Sequence, residues 1–375
     1  MSRLTALTRL SAGVIAATLL SSTALAQTAI EMRAERFDLS HARNVEFREI
    51  NGEPALCFAG GAVLVRDVAL ADGTLSVDIA NESHRHFANL VFRAESVEDH
   101  EAAYVRMHKS RQVDTLQYNP HIRGESHWQL FAPYMRMADL GEADWITLSV
   151  AYADDRARVS VETSAGTFDQ PVGDLALDTY GEQIGLRALF PTCFANLRYD
   201  DATPDLSDIA PTVYDPAPGQ ISTWSLSEAA LFEGFADTMM SDEAWGEAEA
   251  DANGTLLVSR YRAKPSSGGF ERNGLDVVYA STTIVSDRAR VVALDFDVSD
   301  IGRIYLNGQP LVEINNAFRA KHSNVIFRGD FDVNTQTVML ALDEGENDLV
   351  IGVAERANGW ALAARLQDMT GLALR

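Results

Sequence analysis

Along most of the chain, apolar residues recur at every second position or in short unbroken runs, and turn residues interrupt them at close intervals. In the first half such segments are Ala62–Val68, Gly73–Ile79, Ala88–Ala94, Ala103–His108, Trp145–Ala153 and Arg156–Thr163, with Asp72-Gly73 and Asp154-Asp155 as punctuation. Period-two alternation bounded by turn residues predicts strands. The second half repeats the signal: in VVALDFDVSD, Val292, Leu294, Phe296 and Val298 share one face, and Asp295 and Asp297 share the other. Asn307-Gly308 is a strong type I′ hairpin signal. Further strands follow from Thr337 to Leu366, joined at Glu344-Gly345-Glu346 and Ala357-Asn358-Gly359. Ser225–Ala250 is read as holding one short helix, and Glu247-Ala248-Glu249 as loop. Closely spaced strands without long helices predict an all-β chain built from two β-sandwiches, or jelly rolls, in tandem.

Proline sets the proposed boundary. Four of the 11 prolines fall between Pro204 and Pro218. Proline removes ladder donors and favours extended chain. Residues 201–220 are therefore expected to be a linker between a first domain, 30–200, and a second, 221–375. Ahead of both, residues 1–26 have the three parts of a secretory signal peptide. Arg3 and Arg9 form the basic region, Leu10 to Leu20 the apolar one, and Ala24-Leu25-Ala26 the cleavage box. The apolar part is short for a membrane span. The expected location is periplasmic or extracellular, with the mature chain starting near Gln27.

Charge then narrows the partners. The chain has 375 residues, with 31 Lys+Arg against 54 Asp+Glu, a formal net charge of -23. Removal of the leader with its two arginines takes this to -25. The deficit is even, at -13 for residues 27–205 and -12 for 206–375. No basic patch of the kind nucleic acid requires can be built from this sequence. An oxidising compartment gives the two cysteines, Cys57 and Cys193, a reason to pair. They lie in strand-like runs near opposite ends of the first domain.

The strings NLVFRAE, AAYVRMHKSRQVDTLQYNP, SHWQLF and ADWITLSVAY resemble bacterial laminin-G-like, concanavalin-A-like jelly rolls, relatives in shape of legume lectins and family 16 glucanases. RIYLNGQPL, GENDLVIGVAE and NGWALAARL are similar to galactose-binding-like sandwiches. The first resemblance implies a sugar site on a concave sheet. The second implies a carbohydrate-binding or structural accessory module.

Strand alternation proposes the residues of that site. Tyr104, Arg106 and His108 would share one face, as would Asn89, Val91 and Arg93 on the neighbouring segment. Gln117 and Asn119 would follow on the next strand and Trp128 or Gln129 on the one after. The candidate ligand-binding set is thus Arg93, Tyr104, Arg106, His108, Gln117, Asn119 and Trp128. Amides, imidazole and phenol suit sugar hydroxyls, and paired arginines would suit a uronate or sulfate. The alternative is that Arg93 and Arg106 pair with nearby acids and only support the sheet. Six of eight histidines lie between His84 and His127. His84 and His86 could share a face at a spacing metals use, but no third ligand is evident.

Glucanases of this shape carry alternating catalytic acids on one strand. The corresponding string here, TLQYNP, has none after Asp114. The expected function is therefore non-catalytic carbohydrate binding, with no committed catalytic residue. A saccharide-active enzyme is the first alternative, of 3-keto-glycoside hydrolase or uronate lyase type, with His108 as its candidate catalytic residue. An envelope adhesion or scaffold protein is the second. No cofactor is expected. Asp295/Asp297 and Asp330/Asp332 read as solvated faces, with structural calcium as the alternative.

Overall fold

The computed structural model of the chain describes residues 27–266, 274–320 and 328–375. The expected leader at 1–26 lies outside the described residues, as do residues 267–273 and 321–327. The protein is all-β. In the first sandwich, one sheet of eight strands runs in the order Gly166–Val172, Arg156–Thr163, Trp145–Ala153, Gly73–Ala80, Thr192–Asp200, Glu53–Phe58, Glu46–Ile50. Its eighth strand, Thr28–Ala29, pairs with Thr192–Asp200. The facing sheet has seven strands: Met135–Arg136, Leu116–Tyr118, Glu101–Arg106, Phe87–Ala94, Gln183–Leu189, Gly61–Val65 and Phe37–Asp38. Sequence neighbours are often not sheet neighbours, because the chain crosses between sheets.

Alternation decides which side chains fill the core. Ala88, Leu90 and Phe92 point inward, as do Ala103 and Val105, Leu116 and Tyr118, and Ile184, Leu186 and Ala188. Phe87, Asn89 and Val91 therefore face outward, with Ala102, Tyr104, Arg106, Gln117, Gly185, Arg187 and Leu189. Two expectations fail here. The strand expected to run to His108 stops at Arg106, and Met107–Lys109 is a 3-10 turn. Met107 leaves the ladder to join the core. Arg93 leaves the outward face altogether. Its backbone is left-handed (φ 48°) where the register with Gln183–Leu189 shifts, and a bulge reverses alternation. Its guanidinium stacks on Tyr180 at 4.2 Å and pairs with Asp72 at 3.2 Å.

The second sandwich has an eight-stranded sheet centred on Asp276–Ser286 and Gly345–Glu355, and a four-stranded sheet of Thr255–Leu257, Ala361–Leu366, Arg290–Val298 and Gln336–Leu342. Asn307 (φ 49°) and Gly308 (φ 78°) make the tight turn between Ile301–Leu306 and Gln309–Asn315, as the dipeptide predicts. No helix occurs between Ser225 and Ala250. Gly246–Glu249 is a strand, because Ala248 packs inward opposite Trp224 while its flanking acids face out. An α-helix lies later, at Val258–Tyr261. Nor do Asp295 and Asp297 form a solvated face. Asp295 is bonded by Arg365, Thr337 and Gln367, and Asp297 by Asn316 and the amides of Val298 and Asp332. Asp330 pairs with Arg328, and Asp332 accepts from Asn334.

The proline-rich stretch has no regular element, as its missing donors dictate. It is laid on the first sandwich: Leu206 and Ile209 pack on Ala153, and Arg158 bonds Asp208 at 2.7 Å. The two sandwiches meet through a small hairpin, His121–Ile122 with Glu125–Ser126. Its Arg123 donates to the carbonyls of Ser259 and Arg260 at 2.9 and 3.2 Å, and Ile122 packs with Leu257 and Ala361. From the other side, Arg260 reaches Asp178 at 2.7 Å and the Ala176 carbonyl at 2.8 Å.

A buried charge cluster lies at this junction. Lys264 stands 2.8 Å from Glu125 and 4.0 Å from Glu355, with Asp300 close by. Burial pushes the Glu355 carboxyl well above its usual range, and the neighbouring Asp300 adds to the rise. A folded pKa above the unfolded one means that the native state keeps a proton which the unfolded chain releases. That contribution is complete at acid pH and is lost as pH rises from about 4.5, at about 1.4 kcal/mol per pH unit until the folded pKa is reached. Glu355→Gln has no such proton. Urea denaturation should show the two proteins closely matched near pH 4 and Glu355→Gln increasingly the more stable as pH rises. A difference independent of pH would contradict the assignment.

Candidate functional site

The outward face of the seven-stranded sheet brings most of the expected residues together, but locks several of them. Strand register places Arg187, Asn89, Tyr104, Gln117 and Met135 in one row across the sheet. Leu189, Phe87 and Arg106 form the row beside it. Tyr104 Oη donates to Gln117 Oε1 at 2.5 Å and accepts from Arg106 Nη2 at 2.5 Å. Arg106 also pairs with Asp114, with Lys109 3.8 Å from the same carboxylate oxygen. Gln117 spends its amide donors on the carbonyls of Trp128 (2.7 Å) and Phe131 (3.1 Å). Tyr104, Arg106, Asp114 and Gln117 are all buried. Burial holds the Tyr104 phenol up at about 12, so it serves as a hydrogen-bond donor throughout the physiological range. Apart from Arg106 Nε, which has no partner, these groups satisfy one another, as buried polar groups usually do.

Two expected ligand residues serve the junction. Trp128 donates its indole N–H to Asn358 Oδ1 at 2.6 Å and packs edge-on against Phe318. The Arg106 guanidinium lies over its ring at 4.9 Å. Asn119 is buried and bonds Ser126 at 3.0 Å within the hairpin. The adjacent Gln129 reaches the carbonyls of Arg328 and Gly329 at 2.6 and 3.0 Å. Trp128→Phe should cost about 1–2 kcal/mol, since Asn358 Oδ1 is left without its donor. It should leave saccharide affinity unchanged in calorimetry; a large affinity loss would return Trp128 to the binding set.

The open end of the face is elsewhere. Phe190 (38% exposed) and Leu189 (42% exposed) flank Phe87. The Phe87 and Phe190 rings lie 6.2 Å apart, and the half-buried His108 ring sits 5.2 Å from Phe87. Arg85 lies over both phenylalanines, 5.1 Å from the Phe190 ring and 5.9 Å from the Phe87 ring. Phe190 is left-handed (φ 71°), a conformation costing about 1 kcal/mol or more for a non-glycine residue. Inward of them lie the partly buried Arg187 and the buried Asn89, whose side-chain amide donates to the Arg187 carbonyl at 3.2 Å. Phe87, Phe190, Arg85 and Arg187 were not in the expected set. The signal for Arg187 was available in QIGLRAL, where Ile184, Leu186 and Ala188 alternate with Gly185 and Arg187.

The histidines are not arranged as a metal site. His84 and His86 rings approach to 4.4 Å, but His86 Nδ1 is spent on the His84 carbonyl and His84 Nε2 on the Pro191 carbonyl. His100 and His121 stack at 4.5 Å in full burial, which drives His100 down to about 3 and His121 well below its usual value. Both are neutral at physiological pH. Among the described residues, no group of three or more His, Cys, Asp or Glu is placed to hold a metal ion. Cys57 and Cys193 are joined by a disulfide. Among the described residues, no helix is long and apolar enough to cross a membrane.

The chain matches no protein-family model and no curated protein. Among solved structures, it is similar to the carbohydrate-binding module CBM66 from Bacillus subtilis, at 14% identity and a TM-score of 0.34 over 44% of this chain and 95% of the module. A Bacillus subtilis protein of unknown function with a galectin-like fold matches at 10% identity and a TM-score of 0.32, over 46% and 96% of the two chains. A Bacillus licheniformis β-glucanase matches at 13% identity and a TM-score of 0.30, over 42% and 81%. At these similarities, nothing those proteins bind or cleave transfers to this chain.

Proposed function

We propose that the protein is a secreted or periplasmic carbohydrate-binding protein, non-catalytic, whose sugar lies on the outward face of the seven-stranded sheet at the end marked by Phe87 and Phe190. One observation carries this reading. Two phenylalanine rings and a half-buried histidine stand side by side at the open edge of a face that continues into Asn89 and Arg187. Aromatic faces pack on the apolar C–H surface of a pyranose, and the amide and guanidinium meet its hydroxyls. The locked Tyr104–Arg106–Gln117 network beneath gives this surface a rigid floor. Preorganisation of that kind limits the ordering lost on binding. The expected leader and the disulfide suit an oxidising compartment.

A glycan array followed by calorimetry tests the proposal. Phe190→Ala, at an exposed position, should fold normally and weaken binding about tenfold or more, as a truncated aromatic anchor does. Flat heats across neutral and acidic glycans, or full affinity in Phe190→Ala, would count decisively against it.

A further inference from the structure

The arginines expected to meet an anion are not free to do so. Arg93 is neutralised by Asp72, away from the opening, and Arg106, although its guanidinium lies 5.5 Å from the Phe87 ring, is neutralised by Asp114. Two other guanidinium groups lie on this face, Arg85 at the open end and Arg187 one row further in. Arg187 projects from the outward face directly beside Asn89, and Arg85 stacks on Phe87 and Phe190. Neither pairs with a carboxylate among the described residues. In a chain of net charge -23, acids are plentiful, and many arginines have found one. Arg187 is also partly buried, so its surroundings screen it less than bulk water would. His100 and His121 cannot balance it: Arg187 disfavours their protonation, and they stay neutral. His100 contributes two ring nitrogens, and His121 one, that have no protein partner although buried. An uncompensated cation in a partly desolvated recess is costly unless an anion arrives.

We propose that the ligand is an acidic saccharide, its carboxylate or sulfate paired by the Arg187 guanidinium and attracted by Arg85, with the pyranose ring lying on Phe87 and Phe190. This rests on the binding face proposed above and names its substrate class. A guanidinium presents forked donors that match either oxyanion. Arg85, exposed, acts mainly through its field and is screened by salt.

Calorimetry with three probes tests this on the full mature chain: tetragalacturonic acid, its neutral methyl ester, and a sulfated galacto-oligosaccharide. At least one charged probe should bind about tenfold or more tighter than the methyl ester at low salt, and which one does so tells carboxylate from sulfate. That preference should shrink as ionic strength rises. Arg187→Gln should abolish the preference, bringing the charged probe down to the affinity of the methyl ester measured on the same variant, and Arg187→Lys should retain part of it. Thermal denaturation checks that the variants fold; should Arg187→Gln not fold, Arg85→Gln and the salt titration of the parent protein decide. Equal affinity for charged and neutral probes, or a preference untouched in Arg187→Gln, overturns the acidic-ligand assignment alone. No binding of any probe overturns it together with the proposed function.

Discussion

Lys264→Ala should destabilise the protein by about 3–5 kcal/mol, the cost of removing one partner from a buried ion pair. Lys264 is 4% exposed at its side chain, with Glu125 at 10% and Glu355 at 0%. Its ammonium is the cation nearest both carboxylates, and its other flank lies over the Trp360 ring at 5.5 Å. Without it, Glu125, Glu355 and Asp300 would crowd a water-poor site with no cation between them. Burial already pushes all three carboxyls upward, Glu355 furthest, and Glu125 and Asp300 would respond by taking up protons as well. The cost of the substitution should therefore be smaller at pH 5 than at pH 8. Because Glu125 belongs to the hairpin from the first sandwich and Lys264 to the second, loss of the pair should also loosen their docking. Hydrogen exchange should quicken at His121–Ser126 before it does in either core. A cost below about 1 kcal/mol at pH 8 would show that the cluster is solvated, as surface pairs are.

That lysine shows where sequence reading stops. It is one of only three lysines in the chain, and nothing around it in YRAKPSS distinguishes it from a solvated loop residue. Its role depends on Glu125 and Glu355, far away in sequence, and only the docked fold brings the three together. Strands were legible because alternation is local: Trp145–Ala153 and Arg156–Thr163 have the predicted ends. The outward direction of Tyr104 and Gln117 was legible for the same reason. What alternation could not convey is what covers the face. Trp128 and Asn119 carry the residue types of a sugar site, yet the second sandwich and the hairpin take up their polar groups. Arg93 shows a second limit, since one left-handed residue reverses every assignment of face beyond it. Phe190 was invisible for a related reason: its ring reaches Phe87 from a turn, where no periodicity operates.

Reduction of the Cys57–Cys193 bond should produce the other large loss, up to about 5 kcal/mol in the chain-entropy treatment of a loop this long. The two residues are 136 positions apart yet face each other across adjacent strands, Glu53–Phe58 and Thr192–Asp200. Both are nearly buried, against Ala55, Ala80 and Ala195. The bond thus closes a loop that holds nearly all of the first sandwich and every strand of the binding face except the short edge strand Phe37–Asp38. Oxidised protein should unfold at clearly higher urea than the same protein kept in reductant, and Cys57→Ala/Cys193→Ala should follow the reduced curve. The reduced unfolded chain is less constrained and exposes more surface, so its denaturant slope should be the steeper. The second sandwich has its own core and lies outside the loop. Its near-ultraviolet signal from Trp224 and Trp360 should therefore outlast that of Trp145 and Tyr152 in reductant. Saccharide binding should be lost with the first sandwich, at the lower midpoint. Coincident midpoints with and without reductant would mean that packing of the two strands alone fixes the denatured-to-native balance, and the bond would then contribute nothing measurable to the face it encloses.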